Sequence, residues 1–209
     1  MAYRLHVPAA HDLVMEPVER LGLGRQRALT VAAATGRVLE VGAGTGRGLV
    51  HYRPGVTVVA CEPDARRRHR LTRRAVAAPV PVTVVAAGLP HLPFADGSLE
   101  TVVCTLVLCS VGDAAPALAE LRRVLAPGGQ LLFLEHGPAR SHAVAALQRE
   151  VAPAWARLAS GCRLDRDPIG ALRAGGFVVS ECQRLEPLGR ATSGVLVRGR
   201  AIVGHSTQP

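Results

Sequence analysis

The sequence predicts an α/β fold, a seven-stranded and mostly parallel sheet with helices on both faces and an antiparallel last strand. Three observations predict it. Short β-branched runs alternate with longer Ala/Leu/Arg-rich stretches of helical character. A glycine turn, Gly42-Ala43-Gly44-Thr45-Gly46, directly follows the first such run, as expected where a parallel strand delivers the chain to a ligand. The last two runs are joined only by the stretch from Glu186 to Ser193, too short for a crossover helix, so they must pair as an antiparallel hairpin.

In chain order, residues 1–34 read as an N-terminal helical cap and residues 36–209 as the core of a single domain, 1–209. Strands are expected at Val38 to Val41, Thr57 to Cys61, Val82 to Val85, Thr101 to Leu106, Gln130 to Glu135, Val178 to Arg184 and Leu196 to Val203. Helices are expected at Gly46 to Tyr52, Ala65 to Ala77, Ala114 to Val124, Ala143 to Leu158 and Pro168 to Ala174. Pro127-Gly128-Gly129 reads as a stop signal ahead of the fifth strand.

Composition narrows the function classes. The 209 residues, 48% hydrophobic, suffice for one well-buried core. Net charge is +9, and all 25 basic residues are Arg. Arg66, Arg67, Arg68, Arg70, Arg73 and Arg74 fall on one expected helix, a face suited to peripheral contact with an anionic membrane. Aromatics make up only 3% and none interleaves with that face, so nucleic-acid binding is not expected. Five cysteines without a CxxC pair read as reduced, buried thiols. The start Met1-Ala2-Tyr3-Arg4-Leu5-His6 lacks a signal core, and the longest apolar run, Val102 to Val111, is too short to span a bilayer. A cytoplasmic protein without an integral membrane segment is therefore expected. No HExxH or spaced Cys/His set occurs, so no metal is expected. Oligomeric state is not legible.

The glycine turn carries the first chemical signal. A dinucleotide loop needs G-x-G-x-x-G, and counting from Gly42 and Gly44 the third position falls on Arg47. Glu40, just inside the turn, would repel a pyrophosphate, whereas it favours the ammonium and sulfonium of S-adenosylmethionine. The second strand ends at Cys61-Glu62-Pro63-Asp64, placing Glu62 twenty residues after Gly42, where a carboxylate can accept both ribose hydroxyls.

The string Glu40-Val41-Gly42-Ala43-Gly44-Thr45-Gly46 resembles the first motif of class I S-adenosylmethionine-dependent methyltransferases. The runs Cys104-Thr105-Leu106-Val107-Leu108-Cys109-Ser110-Val111, Glu135-His136, Pro153-Ala154-Trp155 and Gly161-Cys162-Arg163-Leu164 resemble a narrower group, the membrane-associated thiol S-methyltransferases of vertebrates, the seventh subgroup of methyltransferase-like proteins. The resemblance covers residues 36–176. It implies a Rossmann-like core whose reversed seventh strand lies between the fifth and sixth. It also implies a donor contact from the backbone at Thr105 and Leu106, and an adenine-binding loop around Gly88 and Leu89. Many relatives have Asp where Gly88 stands, so backbone groups must serve there. The vertebrate N-terminal anchor has no counterpart, which argues against the lipid-surface attachment that the resemblance would otherwise imply.

His136, at the end of the fifth strand, is the expected catalytic residue, because imidazole titrates near about 6.5 and can take a proton from a thiol. Packing against Glu135 is the alternative for it. His11, Cys109 and Trp155 are candidates for substrate contact, each with a packing alternative. The expected reaction is in-line methyl transfer to a small-molecule thiol, for example a reduced natural-product dithiol or hydrogen sulfide. Methylation of an amine, phenol or lipid headgroup stays open, as does a non-catalytic donor-binding module.

Overall fold

The computed structural model describes residues 16–185 and 195–204, and the structural statements below concern those residues. Seven strands form one sheet: β1 (Arg37–Val41), β2 (Thr57–Cys61), β3 (Val82–Val85), β4 (Leu99–Thr105), β5 (Leu125–His136), β6 (Phe177–Leu185) and β7 (Leu196–Val203). Their order is β3-β2-β1-β4-β5-β7-β6. Strands β1 to β5 pair in parallel; β7 runs antiparallel to β6, as the hairpin argument requires, and lies between β5 and β6, as the family resemblance implies. The chain steps outward from β1 to β3 and then returns to β4 beside β1. That reversal opens a crevice at the carboxyl ends of β1 and β4.

Alternation along the strands sorts two cores. Leu39, Val41, Val102, Cys104, Leu131 and Phe133 pack on one face with Leu118 and Leu121 of α3 (Ala114–Val124) and Leu172 of α5 (Pro168–Ala174). Val38, Val58, Ala60, Val103 and Leu132 pack on the other with Val31 of α1 (Gly24–Val31) and Leu71 of α2 (Ala65–Val76). The helices start where short carboxylates accept their free amides: Asp64 from Arg67, Asp113 from Ala115 and Asp167 from Ile169. Helix α4 (His142–Leu158) contains Pro153 and contributes Trp155 to the cavity lining.

Several sequence expectations need correction. The helix expected at Gly46 to Tyr52 is only a 3₁₀ turn, Leu49–His51, because Gly46 sits at φ +83° and Tyr52 is already extended. No helical amino terminus therefore faces the ligand from this loop. Strand β4 starts earlier than expected and ends at Thr105, since Leu106 adopts φ +58° and leaves the sheet. Strand β5 begins directly after α3, with Pro127-Gly128-Gly129 absorbed at a register shift against β4 instead of standing ahead of the strand. Four cysteines are buried as expected, but Cys182 is exposed on the edge strand β6. The Arg row is partly turned inward: Arg68 donates to the carbonyls of Glu62 and Pro63, and Arg74 to that of Thr45. In the N-terminal cap, a π-helical turn (Glu19–Leu23) runs into α1.

Candidate functional site

A cavity of about 680 Å³ opens at the crevice, within the usual size for a small-molecule site. The lining includes Gly42, Ala43, Gly44, Glu62, Pro63, Gly88, Leu89, Thr105, Leu106, His136 and Trp155, eleven of the residues singled out in the sequence. His11 lies outside the described residues. Cys109 and Glu40 do not line this cavity.

Glu40 is a correction. Its side chain is buried beneath the glycine turn instead of facing the ligand, and its Oε2 accepts a hydrogen bond of 3.0 Å from the Tyr52 hydroxyl. A side chain at Gly48 would collide with it. Burial pushes the Glu40 carboxyl up to about 7, against the opposing pull of Tyr52 and Arg27. Glu40 thus braces the turn from below.

Glu62 does face the cavity. It is buried, its Oε2 accepting from the Gly44 amide at 2.9 Å and its Oε1 from the Asp64 amide at 2.9 Å. A carboxylate offers about four lone-pair directions, so two remain for a ligand. Gly44, at φ +59°, has no neighbour but a carbonyl at 3.9 Å where a side chain would project, so ligand can come up against the backbone there. Gly42 is required for another reason: at φ +58°, a Cβ would stand 2.9 Å from Val107 Cγ2 in the turn after β4.

Thr105 adds an unspent group. Thr105 lines the cavity, and its buried Oγ1 has no hydrogen-bond partner in the protein. A buried orphan hydroxyl beside a cavity calls for a partner, and a bound ligand is a candidate for one. Together these features fit S-adenosylmethionine: a carboxylate with free acceptor positions for the ribose, an open glycine cradle, and apolar walls from Leu89, Leu106 and Val107.

The far end of the cavity is sulfur-rich. His136 Nδ1 lies 3.0 Å from Cys162 Sγ, and Cys162 Sγ lies 3.5 Å from Cys109 Sγ. One side-chain atom from each of these three residues lies within 4.8 Å of the other two. The hydrogen bond shared with Cys162, together with burial, pushes the Cys109 thiol up to about 12. The same bond pulls the Cys162 thiol down. His136 and Cys162 line the donor cavity, while Cys109 and His136 line an adjoining cavity of about 360 Å³.

Three further side chains hold this end together. Glu135 does not contact the His136 ring; it is fully buried, and its carboxylate accepts the amides of Val107, Leu108 and Cys109 at 2.9–3.0 Å. Burial pushes its carboxyl well above the usual range, while those three amides pull the other way. Gln148 of α4 accepts from the Ala139 amide and donates to the carbonyls of Gly137 and Leu164. It ties the exit of β5 to the loop that carries Cys162. Arg166 donates to the carbonyls of Leu108, Val111 and Gly112, and the Arg163 amide to that of Cys109.

Sequence reasoning missed Cys162, the Thr105 hydroxyl, Glu135 as a brace, and Gln148. Cys162 stood in a run already noted, but nothing in the spacing of residues 109, 136 and 162 announces that they meet.

Comparison with known proteins agrees with this geometry. A model of the methyltransferase domain matches residues 39–133. Thiol S-methyltransferase TMT1B of Homo sapiens is 35% identical over 185 residues, covering 83% of this chain and 72% of that protein. Thiol S-methyltransferase TMT1A of Homo sapiens is 37% identical over 161 residues, covering 71% of this chain and 63% of that protein. Among solved structures, a SAM-dependent methyltransferase of Thermotoga maritima superposes with a TM-score of 0.68 at 23% identity, covering 92% of this chain and 95% of that one.

Proposed function

The chain belongs to the S-adenosylmethionine-dependent methyltransferase family that includes the human thiol S-methyltransferases, and from that premise we propose that it S-methylates a small-molecule thiol in the cytoplasm. One observation carries the choice of acceptor. Around His136 and Cys162 the lining takes in the apolar Leu106, Val111 and Trp155, with Asp113 as an acidic member, so the acceptor side joins apolar walls to a sulfur. Such walls suit a soft, weakly hydrated nucleophile better than an ammonium or a charged headgroup.

Donor binding supplies an activated methyl group on a positively charged sulfur. The protein's share is then alignment and exclusion of water. Glu62 and the backbone at Gly44 hold the nucleoside portion, and the Gly88–Leu89 segment walls the base. Leu106, lifted out of β4 by its positive φ, separates the donor side from the acceptor side. His136 is the catalytic side chain of this reading, the one imidazole among the described residues of the cavity lining. With Nδ1 against Cys162, the ring is fixed in orientation as it faces the acceptor.

The test is turnover. Incubation with methyl-labelled donor and a panel of aliphatic and aromatic thiols, hydrogen sulfide, amines and phenols should give labelled methyl thioethers, read by mass spectrometry. Label appearing only on oxygen or nitrogen overturns the acceptor assignment, and donor binding without any turnover overturns the enzyme reading in favour of a binding module.

A further inference from the structure

We propose that Cys109, His136 and Cys162 form a zinc site whose open fourth position takes the sulfur of the acceptor thiol. This deepens the thiol reading and rests on it.

The geometry comes first. Zinc bound by two thiolates and an imidazole, with bond lengths of about 2.3 Å to sulfur and about 2.0–2.1 Å to nitrogen, sets neighbouring ligand atoms about 3.5–3.8 Å apart. Here the sulfurs are 3.5 Å apart, Cys162 Sγ is 3.0 Å from His136 Nδ1, and all three ligand atoms lie within 4.8 Å of one another. The sulfur–sulfur spacing already fits, and the Cys162–His136 approach must open by about half an ångström to admit the ion. Three protein ligands with one face toward a cavity is the arrangement of a catalytic zinc site, whereas structural sites close all four positions.

The supports around the trio are those a metal site needs. The turn bearing Cys109 is fixed by its Glu135 bonds, and the loop bearing Cys162 is held by Gln148 and by the Arg163 and Arg166 contacts to that turn. Each ligand thus sits on a segment tied to the next, the preorganisation that ligand sets depend on. Charge is favourable too: two thiolates and a neutral imidazole cancel the dication in a site that is largely buried. Glu135 is not part of this ligand set: three of its roughly four acceptor directions are taken by the amides of Val107, Leu108 and Cys109.

The chemistry balances without an oxidant or reductant. The acceptor R–SH binds zinc as RS⁻ and its proton leaves to solvent. A lone pair on that sulfur forms the new S–CH₃ bond while the methyl–sulfonium bond breaks, its electron pair staying on the donor sulfur. The neutral thioether is a poor zinc ligand and departs, and zinc remains Zn²⁺ throughout. His136 then contributes as a ligand, so the proton-acceptor role expected from the sequence passes to the metal as a Lewis acid.

The experiment uses the full chain, reduced, stripped with a chelator and titrated with Co²⁺. One equivalent per chain should produce thiolate-to-cobalt charge-transfer and visible tetrahedral bands, and ethanethiol should shift those bands as it enters the fourth position. Cys162→Ser and Cys109→Ala should each abolish them while donor binding by calorimetry persists, which shows that the variants are folded. Re-addition of Zn²⁺ to the stripped protein should raise thiol turnover about tenfold or more. Absence of cobalt bands in the unmodified chain, or thiol turnover unaffected by stripping, overturns the zinc site and leaves thiol methylation standing. Bands that ethanethiol does not move overturn the acceptor's place on the metal. Methyl transfer confined to amines or phenols by a metal-loaded chain overturns the thiol reading and leaves the metal binding standing.

Discussion

The donor half and the acceptor half of the cavity are organised by the same device and made from opposite materials. Each half has a buried carboxylate that accepts backbone amides from a neighbouring turn: Glu62 takes Gly44 and Asp64, and Glu135 takes Val107, Leu108 and Cys109. The donor half then presents glycine, carboxylate and hydroxyl, while the acceptor half presents thiol, imidazole and indole. The difference teaches that a buried charge here is a tool for fixing loops, and that ligand chemistry is set by what the fixed loops display. Glu62 does both, because it also lines the cavity; Glu135 does not line it and does only the first.

Breaking the two braces separately should give the largest effects and in different observables. Glu62→Ala removes two amide acceptors and the expected ribose contact, with charge-assisted bonds worth about 1.5–3 kcal/mol each, so donor affinity should fall about 100-fold or more by titration calorimetry. Glu135→Ala strands three buried amides at about 1–3 kcal/mol each. It should lower thermal stability by several kilocalories and turnover severely while the remaining folded protein keeps donor affinity within a fewfold. Equal losses of donor binding in the two variants would erase the distinction between the halves.

A second measurement sharpens the role of Glu40. Its folded carboxyl titrates at about 7 against an ordinary 4.5, so between those values the folded state holds a proton that the unfolded state has released. Stability should therefore fall as pH rises through that window, by about 3 kcal/mol at most for a shift of that size. Glu40→Gln keeps an acceptor for the Tyr52 hydroxyl and cannot ionise, so its denaturant midpoint should decline less between pH 5 and about 7. A decline as steep as that of the parent would show that Glu40 is not the group responsible.

The smallest effect probes the border between the halves. Thr105→Val removes a hydroxyl that has no partner in the protein, so stability should hold or rise slightly. Donor affinity should drop about fivefold, one neutral hydrogen bond of about 1 kcal/mol. Unchanged affinity would mean that this hydroxyl meets no donor atom.

The glycine-turn half of the cavity was legible as a cluster because its residues are local in sequence. Strand, turn and carboxylate follow one another from Arg37 to Gly46, and Glu62 closes the next strand, so spacing along the chain mirrors spacing in the fold. The direction of the last strand pair was legible as well, since a short hairpin connection permits only antiparallel pairing, whereas the place of β7 between β5 and β6 came from the family resemblance. Glu40 was misread for a reason inherent in sequence: alternation says that a residue points to one face, but cannot say that Tyr52 and Gly48 cover that face. The helix after the turn failed because Gly46, in the left-handed region, and Gly48 outweigh a few helix-formers. The acceptor half was legible only as isolated candidates. Its residues come from the turn after β4, the end of β5 and the loop after α4, and only packing brings 109, 136 and 162 together.

That stitching has a consequence for how activity is lost on heating. The loop after α4 is held to the rest of the fold largely by Gln148, Arg163 and Arg166, whereas the glycine turn rests on the central strands. Local opening of that loop should require less free energy than global unfolding. Warming should then dissolve the sulfur trio while β1 and β2 stay paired, leaving molecules that still capture the nucleoside yet have gone catalytically silent.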